Sequence, residues 1–551
     1  MARHGCKGWS LRLRTNGFQL RWLKIEFEDE DEDEDDWGTM NNPAMVGIDV
    51  GTSRTKCLII DATGKILALA SAPTADFHPQ PGWTDYDGEV IWQGVCGTIR
   101  SALRQIEDPS RVQAIAVASV AESAIPIDKF GQALDRAIAW FDLRTAGEFD
   151  WLAKQIGVDR LFSISGLNPD TIFGICKLLW FKKNRPEAFS KLWRWLNIAD
   201  YVAFRLSGVP ATDYSLASRT LAFNLFDYRW ETALLREVGL SEGIFAELSP
   251  SGSLLGKISP EAADESGLPR HTLVGVGGHD HIVGAFGAGT LRPGALLDSL
   301  GTSEALLFSV EQPVRDSRFP SAGLAQGVIE IRSRHFYVTG GIYTSGAAIE
   351  WFRRSLAAEV DYSLLVAGAE KEQRGTVCFI PHLRRSLTPV PDPKARGAFL
   401  GLTATTSRAA LFRGILEGLA FEARAALDGM LVFPNTTYPS EIRLIGGNTA
   451  NALFMRLKAA AFGRPINLAP VTECTSFGAA LLAGLAAGVF SSEDEAQKAI
   501  GPIKEQITPD PEDAAFYEKL YQEVYRHIYC ALRPLNHRLY ELAPAAGTLE
   551  Y

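Results

Sequence analysis

The sequence contains no Cys-x-x-Cys pair, no long unbroken apolar run, no strong basic stripe and neither of the familiar glycine signatures for nucleotides. Each absence removes a class of protein. Seven cysteines stand singly at positions 6, 57, 96, 176, 378, 474 and 530, which argues against structural zinc and for a reducing cytoplasm. The longest nearly unbroken apolar run, Phe477 to Phe490, is shorter than the roughly 20 residues a membrane helix needs, so no spanning segment is expected. Without a basic stripe, a nucleic-acid role is not suggested. No Gly-x-Gly-x-x-Gly opens a helix after the first strand and no Gly-x-x-x-x-Gly-Lys-Ser/Thr occurs, so Rossmann and P-loop folds lose their main support.

What is present is a chain of 551 residues, 46% hydrophobic. That is too long for one ordinary core and points to several soluble domains. The formal charge of −10 is unevenly spread, because Glu26 to Asp36 alone holds ten acidic residues. Setting aside residues 1–44, with those ten acids and six bases, leaves 49 basic against 55 acidic residues, a mildly acidic body at −6. Residues 1–44 are expected to be a disordered extension, since the acidic block repels itself and stays solvated. A partner-binding acidic arm is the alternative, and a translation start at Met40 or Met45 would remove the segment.

From Met45 the pattern reads strand, glycine turn, strand: Val46–Val50, Thr55–Asp61 and Ile66–Ala70 open a mixed sheet. A second series begins near residue 290, with strands expected at Ala295–Leu300, Glu304–Ser309 and Phe336–Gly340. Arg408–Leu431 has the pattern of a long amphipathic helix, Thr475–Ala487 that of a small-residue helix packed on a sheet. Pro511–Leu532 is expected as a closing helix, with Pro534 just past its end. Two α/β domains, 45–289 and 290–545, with a ligand cleft between them are the simplest architecture.

The same tripeptide follows the first strand of each series: Gly51-Thr52-Ser53 and Gly301-Thr302-Ser303. Such a turn leaves N–H groups and hydroxyls free at a strand end, which suits phosphate oxygens. Asp49, just before the first turn, is either a magnesium-associated carboxylate or a residue satisfying its own turn. Lys56 adds a nearby positive charge. Gly277-Gly278-His279-Asp280-His281 delivers a carboxylate to the cleft, where Asp280 is either a general base or a helix N-cap. The spacing of His279 and His281 matches no familiar metal pattern. Gly446-Gly447-Asn448 forms a further glycine turn, open enough for a base or ribose to approach the backbone.

Taken in order, Asp49-x-Gly51-Thr52-Ser53, Trp140-Phe141-Asp142-x-Arg144-Thr145, Gly278-His279-Asp280, Gly301-Thr302-Ser303, Gly346-x-x-x-Glu350-Trp351 and Gly446-Gly447 resemble the FGGY carbohydrate kinases over about residues 45 to 540. The resemblance implies two actin-like, ribonuclease-H-type domains closing on ATP and a small sugar or polyol. It implies Asp280 as catalytic base, Asp49 as the Mg²⁺-associated Asp, and Gly51, Thr52, Ser53, Gly301 and Thr302 around the phosphates. Gly346, Glu350, Gly446, Gly447 and Asn451 fall where the family contacts the nucleotide. Toward the acceptor it points to Glu122, Asp142, Arg144, Trp83 and His281. Ala121-Glu122 keeps the Glu of the glycerol kinase Arg-Glu pair and lacks its Arg, and Ile172 replaces a substrate-binding Tyr. Ketopentoses are therefore favoured over glycerol. The same residues have structural alternatives: a solvated loop end for Glu122, an ion pair for Asp142 and Arg144, and core for Trp83. A sugar-binding regulator or another actin-like ATPase remains a rival on this scaffold, and a homodimer is a plausible assembly within the family.

Overall fold

The computed structural model describes residues 42–434 and 436–543, which belong to one compact unit. The expected acidic extension lies outside the described residues except for 42–44, and the first strand already begins at Ala44.

The first sheet is built from β1 (Ala44–Val50), β2 (Arg54–Asp61), β3 (Ile66–Pro73), β4 (Val112–Ser119), β5 (Leu254–Lys257) and β6 (Leu273–His279), in the spatial order β5-β6-β4-β1-β2-β3. The second contains β7 (Ala295–Leu300), β8 (Glu304–Val310), β9 (Ala325–Glu330), β10 (Arg334–Ile342), β11 (Glu441–Ile445), β12 (Ile466–Leu468) and β13 (Glu505–Ile507), ordered β9-β10-β8-β7-β11-β12-β13. The two share a plan. β1 pairs antiparallel with β2 and parallel with β4, while β7 pairs antiparallel with β8 and parallel with β11. Each Gly-Thr-Ser turn therefore closes the same hairpin, between Val50 and Thr55 in one sheet and between Leu300 and Glu304 in the other. Residues of β1 and β4 are buried almost throughout, as expected for central strands covered on both faces.

Six helices matter for the site: α1 (Gly88–Leu103), α2 (Asp280–Gly287), α3 (Gly346–Leu356), α4 (Arg408–Leu431), α5 (Ala452–Phe462) and α6 (Cys474–Ala486). The small-residue helix α6 follows β12 of the second sheet but packs on β1, β4 and β6 of the first and crosses α2. A Cβ at Gly478 would lie 2.0 Å from the Val283 carbonyl oxygen, so only glycine permits that crossing. One apolar cluster consequently joins Met45 and Ala116 of the first sheet to Leu297 and Leu307 of the second through Phe477.

Two expectations need correction. Helix α4 has the expected bounds but is not amphipathic in its setting, because it is covered on nearly every side. Its buried polar residues are satisfied instead by the C-terminal segment: Tyr517 donates to Glu417 at 2.6 Å and Tyr525 to Glu422 at 2.9 Å. That segment does not stop before Pro534. It runs as Pro511–Leu520, a π-turn at Tyr521–Tyr525, and Arg526–Leu542 with Pro534 inside. The helical partner that Pro534 denies belongs to Cys530, which is exposed, so water can satisfy that carbonyl.

Candidate active site

In the first sheet, Asp49 sits one residue before the end of β1, half-buried. Burial, and then the nearby Asp280 carboxylate, push its carboxyl up to about 8, against the pull of Lys56. Lys56 is itself engaged, donating to Glu473 at 2.5 Å. It thereby ties β2 to the residue that precedes α6. The turn after β1 is closed by the Gly51 N–H to the Arg54 carbonyl at 3.0 Å, and Trp140 Nε1 donates to Thr52 Oγ1 at 3.1 Å. Ser53 is exposed.

Asp280 opens α2 directly after β6, and the N-cap position falls on His279, so the purely capping role does not apply. Its Oδ1 accepts from the His281 N–H at 2.7 Å and lies 3.1 Å from His279 Nε2. Burial works to raise its pKa, but His281 and the His279 hydrogen bond outweigh it and hold the carboxyl below its ordinary value. Burial pushes His281 down in turn. The result is an ionised acceptor flanked by two stacked imidazoles, 5.0 Å apart between ring centres. Ligand atoms of His279, Asp280 and His281 lie within 4.8 Å of one another.

Asp49 and Asp280 together offer hard oxygen donors, and one keeps its proton in the absence of a compensating cation. That donor set fits a divalent ion of the magnesium type.

In the second sheet three glycine turns converge. Ser345 and Ala347 donate to the Thr302 carbonyl at 3.1 and 3.0 Å, and Gly346 donates to that of Gly301 at 3.1 Å. Gly446 has φ +102° and would bring a Cβ to 2.4 Å from the Leu300 carbonyl oxygen. Beneath them lies a cluster that sequence reasoning missed. Lys458 of α5 donates to Asp298 at 2.5 Å and to Glu304 at 2.6 Å, all three side chains being inaccessible to solvent. Ser345 donates to the other Glu304 oxygen at 2.7 Å. Burial and then Asp298 push Glu304 up to about 8. No local signal marks this set, since Lys458 is 160 residues from Asp298. Gly447 lies beside Gly446 with open space where a side chain would stand. Glu350 is exposed and pairs with Arg353 at 3.0 Å. Asn451 caps α5, its Oδ1 accepting from the Phe454 N–H at 3.0 Å while its Nδ2 donates to Tyr362 at 2.9 Å. Its side chain already has structural partners.

Of the acceptor candidates, Glu122 is not a solvated loop end. It is buried, has φ +62°, and accepts from Arg219 Nε at 2.5 Å. Asp142 and Arg144 form the ion pair that was the structural alternative: Asp142 accepts from the Thr84 N–H at 2.6 Å and from Arg144 at 2.6 and 3.0 Å. Arg144 also reaches Asp85 at 2.7 Å, and its guanidinium lies 4.1 Å from the Trp83 ring centre. Trp83 in turn meets Trp180 edge-on at 5.5 Å. Lys177, wholly buried, donates to the Ile172 and Trp140 carbonyls, and burial lowers its pKa to about 8 against the field of Glu122.

Residues 44–287 match the N-terminal domain, and residues 296–487 the C-terminal domain, of the FGGY family of carbohydrate kinases. The chain belongs to that family. This FGGY kinase is 28% identical over 499 residues to a xylulose kinase of Bacillus subtilis (strain 168), covering 89% of the chain and 98% of the relative. It is 30% identical over 464 residues to a glycerol kinase of Thermococcus gammatolerans, covering 82% and 90%. Among solved structures, a xyloylose kinase from Brucella ovis superposes with a TM-score of 0.80 at 26% identity, covering 89% of the chain and all of that structure. The FGGY kinase is thus an ATP-using carbohydrate kinase with two actin-like domains. Among the described residues, no helix is long and apolar enough to cross a membrane.

Proposed function

We propose that this kinase transfers the γ-phosphoryl group of ATP to a hydroxyl of a small sugar or polyol, a ketopentose in preference to glycerol, with Asp280 as general base. The observation that carries the reading is the Asp280 carboxylate, kept ionised by His279 and His281 close to a second carboxylate, Asp49. Asp280 accepts the hydroxyl proton as the oxygen–phosphorus bond forms. Transfer of this kind depends on positioning and charge neutralisation because its transition state is loose and anionic. Thr52, Ser53, Thr302 and the N–H groups of the Gly51 and Gly301 turns orient the phosphates. Lys56 acts from beside Asp49 through its bridge to Glu473. Asp49 would hold Mg²⁺, which supplies countercharge to the phosphates. Gly346, Gly446 and Gly447 leave room for the adenosine, with Glu350 and Asn451 at its border.

Residues 45–289 act as the sugar-binding half and 290–545 as the nucleotide-binding half of a cytoplasmic enzyme. Glu122 and His281 meet the acceptor directly, while Asp142, Arg144 and Trp83 hold the pocket wall. The preference for a ketopentose rests on the xylulose kinase relative and on the absence of the Arg and Tyr that the resemblance associates with glycerol. The test is coupled ADP release from the purified chain across a panel of pentuloses, tetritols, pentitols and glycerol. Pentulose-dependent release from the wild type, lost in Asp280→Asn with ATP binding intact, is the expected result. Near-normal turnover by Asp280→Asn would remove Asp280 from the role of base.

A further inference from the structure

Phosphoryl transfer needs positive charge where the γ-phosphate sits, and the two lysines beside the Gly-Thr-Ser turns are already committed. Lys56 is bonded to Glu473, and Lys458 is sealed between Asp298 and Glu304. Another cation stands near the second turn. Arg385 holds its guanidinium 4.1 Å from the Tyr343 ring centre and has, among the described residues, no hydrogen-bond or ion-pair partner.

Strand register locates Tyr343. β10 ends at Ile342, which pairs with Glu304 of β8, so Tyr343 stands one rung further on, beside Ser303. The turn Gly301-Thr302-Ser303 is exposed there. Side chains alternate along a strand, which puts Tyr343 on the side of Tyr337, six residues earlier. Tyr337 belongs to the apolar cluster shared by the two sheets and sits against Arg219 of the first half, whereas Phe336, Val338 and Ile342 pack on the opposite side. Tyr343 and the guanidinium stacked on it therefore face the first half beside the second phosphate turn.

The segment that carries Arg385 is pinned on both sides of it. Upstream, Thr344 donates to the Pro381 carbonyl and His382 Nε2 lies 2.6 Å from Glu422. Downstream, Ser386 donates to the Val390 carbonyl at 2.6 Å, and Thr388 Oγ1 accepts from the Gly341 N–H at 3.2 Å. Arg385 itself is half-buried. A fixed backbone and a stacked plane leave the guanidinium little entropy to lose when its fork meets an anion. We propose that Arg385 is a catalytic residue that donates to oxygens of the ATP γ-phosphate. The terminal phosphate is the one that must lie against the first half, where Asp280 sits, and ADP lacks it. The inference deepens the kinase reading above and rests on it.

The experiment measures dissociation constants for ATP and for ADP, each with Mg²⁺ and without acceptor, by calorimetry on the full chain. Acceptor-dependent ADP release is measured beside them, in the wild type, Arg385→Gln and Arg385→Lys. Arg385→Gln should weaken ATP binding about tenfold to a hundredfold while leaving ADP within about twofold, as expected for the loss of charge-assisted contacts to one phosphate. Its kcat should fall at least as far, with the KM for the acceptor nearly unchanged. Arg385→Lys keeps the charge and should recover part of the ATP affinity but little of kcat, since it lacks the fork. Should Arg385→Gln fail to fold, the ratio of ATP to ADP affinity in Arg385→Lys decides: a lowered ratio supports the assignment and a wild-type ratio overturns it. Equal weakening of ATP and ADP, or unchanged ATP binding, also overturns it and leaves Arg385 a brace on Tyr343. A wild type that phosphorylates no acceptor defeats the kinase reading by itself, because the ATP-to-ADP ratio is read without acceptor.

Discussion

The two Gly-Thr-Ser turns occupy the same hairpin of the same sheet plan, yet they rest on opposite electrostatic foundations. At Gly51 the supporting carboxylate, Asp49, is half-buried beside another carboxylate, and the nearest ammonium, Lys56, is bonded to Glu473. At Gly301 the supporting carboxylates, Asp298 and Glu304, are sealed from solvent around Lys458. In both places one carboxyl is pushed up to about 8. Only at the second turn does a fully buried lysine offset the charge. A site that must receive a cation and react leaves charge unsatisfied; a site that must hold backbone in place satisfies it internally. The first turn is thus left with uncompensated carboxylate charge and the second is braced from within, although their sequences are identical.

If that division holds, the largest effect belongs to the reactive side. Asp280→Asn should lower turnover roughly 10²–10⁴-fold with little change in folding, measured as acceptor-dependent ADP release beside a thermal melt. On the braced side, Lys458→Met should instead cost stability, about 3–5 kcal/mol, because two buried carboxylates lose their only ammonium. Denaturant titration reads that loss, and a wild-type midpoint would refute the brace. Gly446→Ala should follow at about 1–3 kcal/mol, since φ +102° and the Leu300 carbonyl both oppose a Cβ. Its KM for ATP should rise more than its KM for the acceptor.

A pH series sharpens the comparison further. Glu304 has its pKa raised from the ordinary 4.5 to about 8. Between those values the folded chain keeps a proton that the unfolded chain has lost, so the Glu304 contribution to stability falls as pH rises through that window. Glu304→Gln carries no titrating proton there, and its unfolding midpoint should decline less between pH 5 and 8 than that of the wild type. An identical decline would show that Glu304 does not titrate in this range. The smallest effect is expected at Glu350→Ala, whose exposed pair with Arg353 is worth less than about 0.5 kcal/mol.

Much of the fold was legible because its signals are local. Apolar strands ending in glycine turns announced β1 and β7, and the small residues of α6 announced close packing. Which sheet α6 would cover was not legible, since it follows one sheet in the chain and lies on the other. Pro534 misled for a related reason: how much an interior proline costs a helix depends in part on whether the freed carbonyl finds another partner, and here that carbonyl belongs to exposed Cys530. Asp49 and Asp280 stood out in sequence because each adjoins a glycine turn. Arg219 and Lys458 did not, because their partners are 97 and 160 residues away and no period links them.

The order of residues along this chain by itself determined the main strands, the two Gly-Thr-Ser turns and the family, all properties of short segments whose hydrophobic period and turn chemistry are written contiguously. Only the tertiary structure decided the charge each turn would carry. Desolvation and Coulomb energy depend on distance and burial, and folding alone brings Asp280 near Asp49, Lys458 under Gly301 and Arg219 to Glu122.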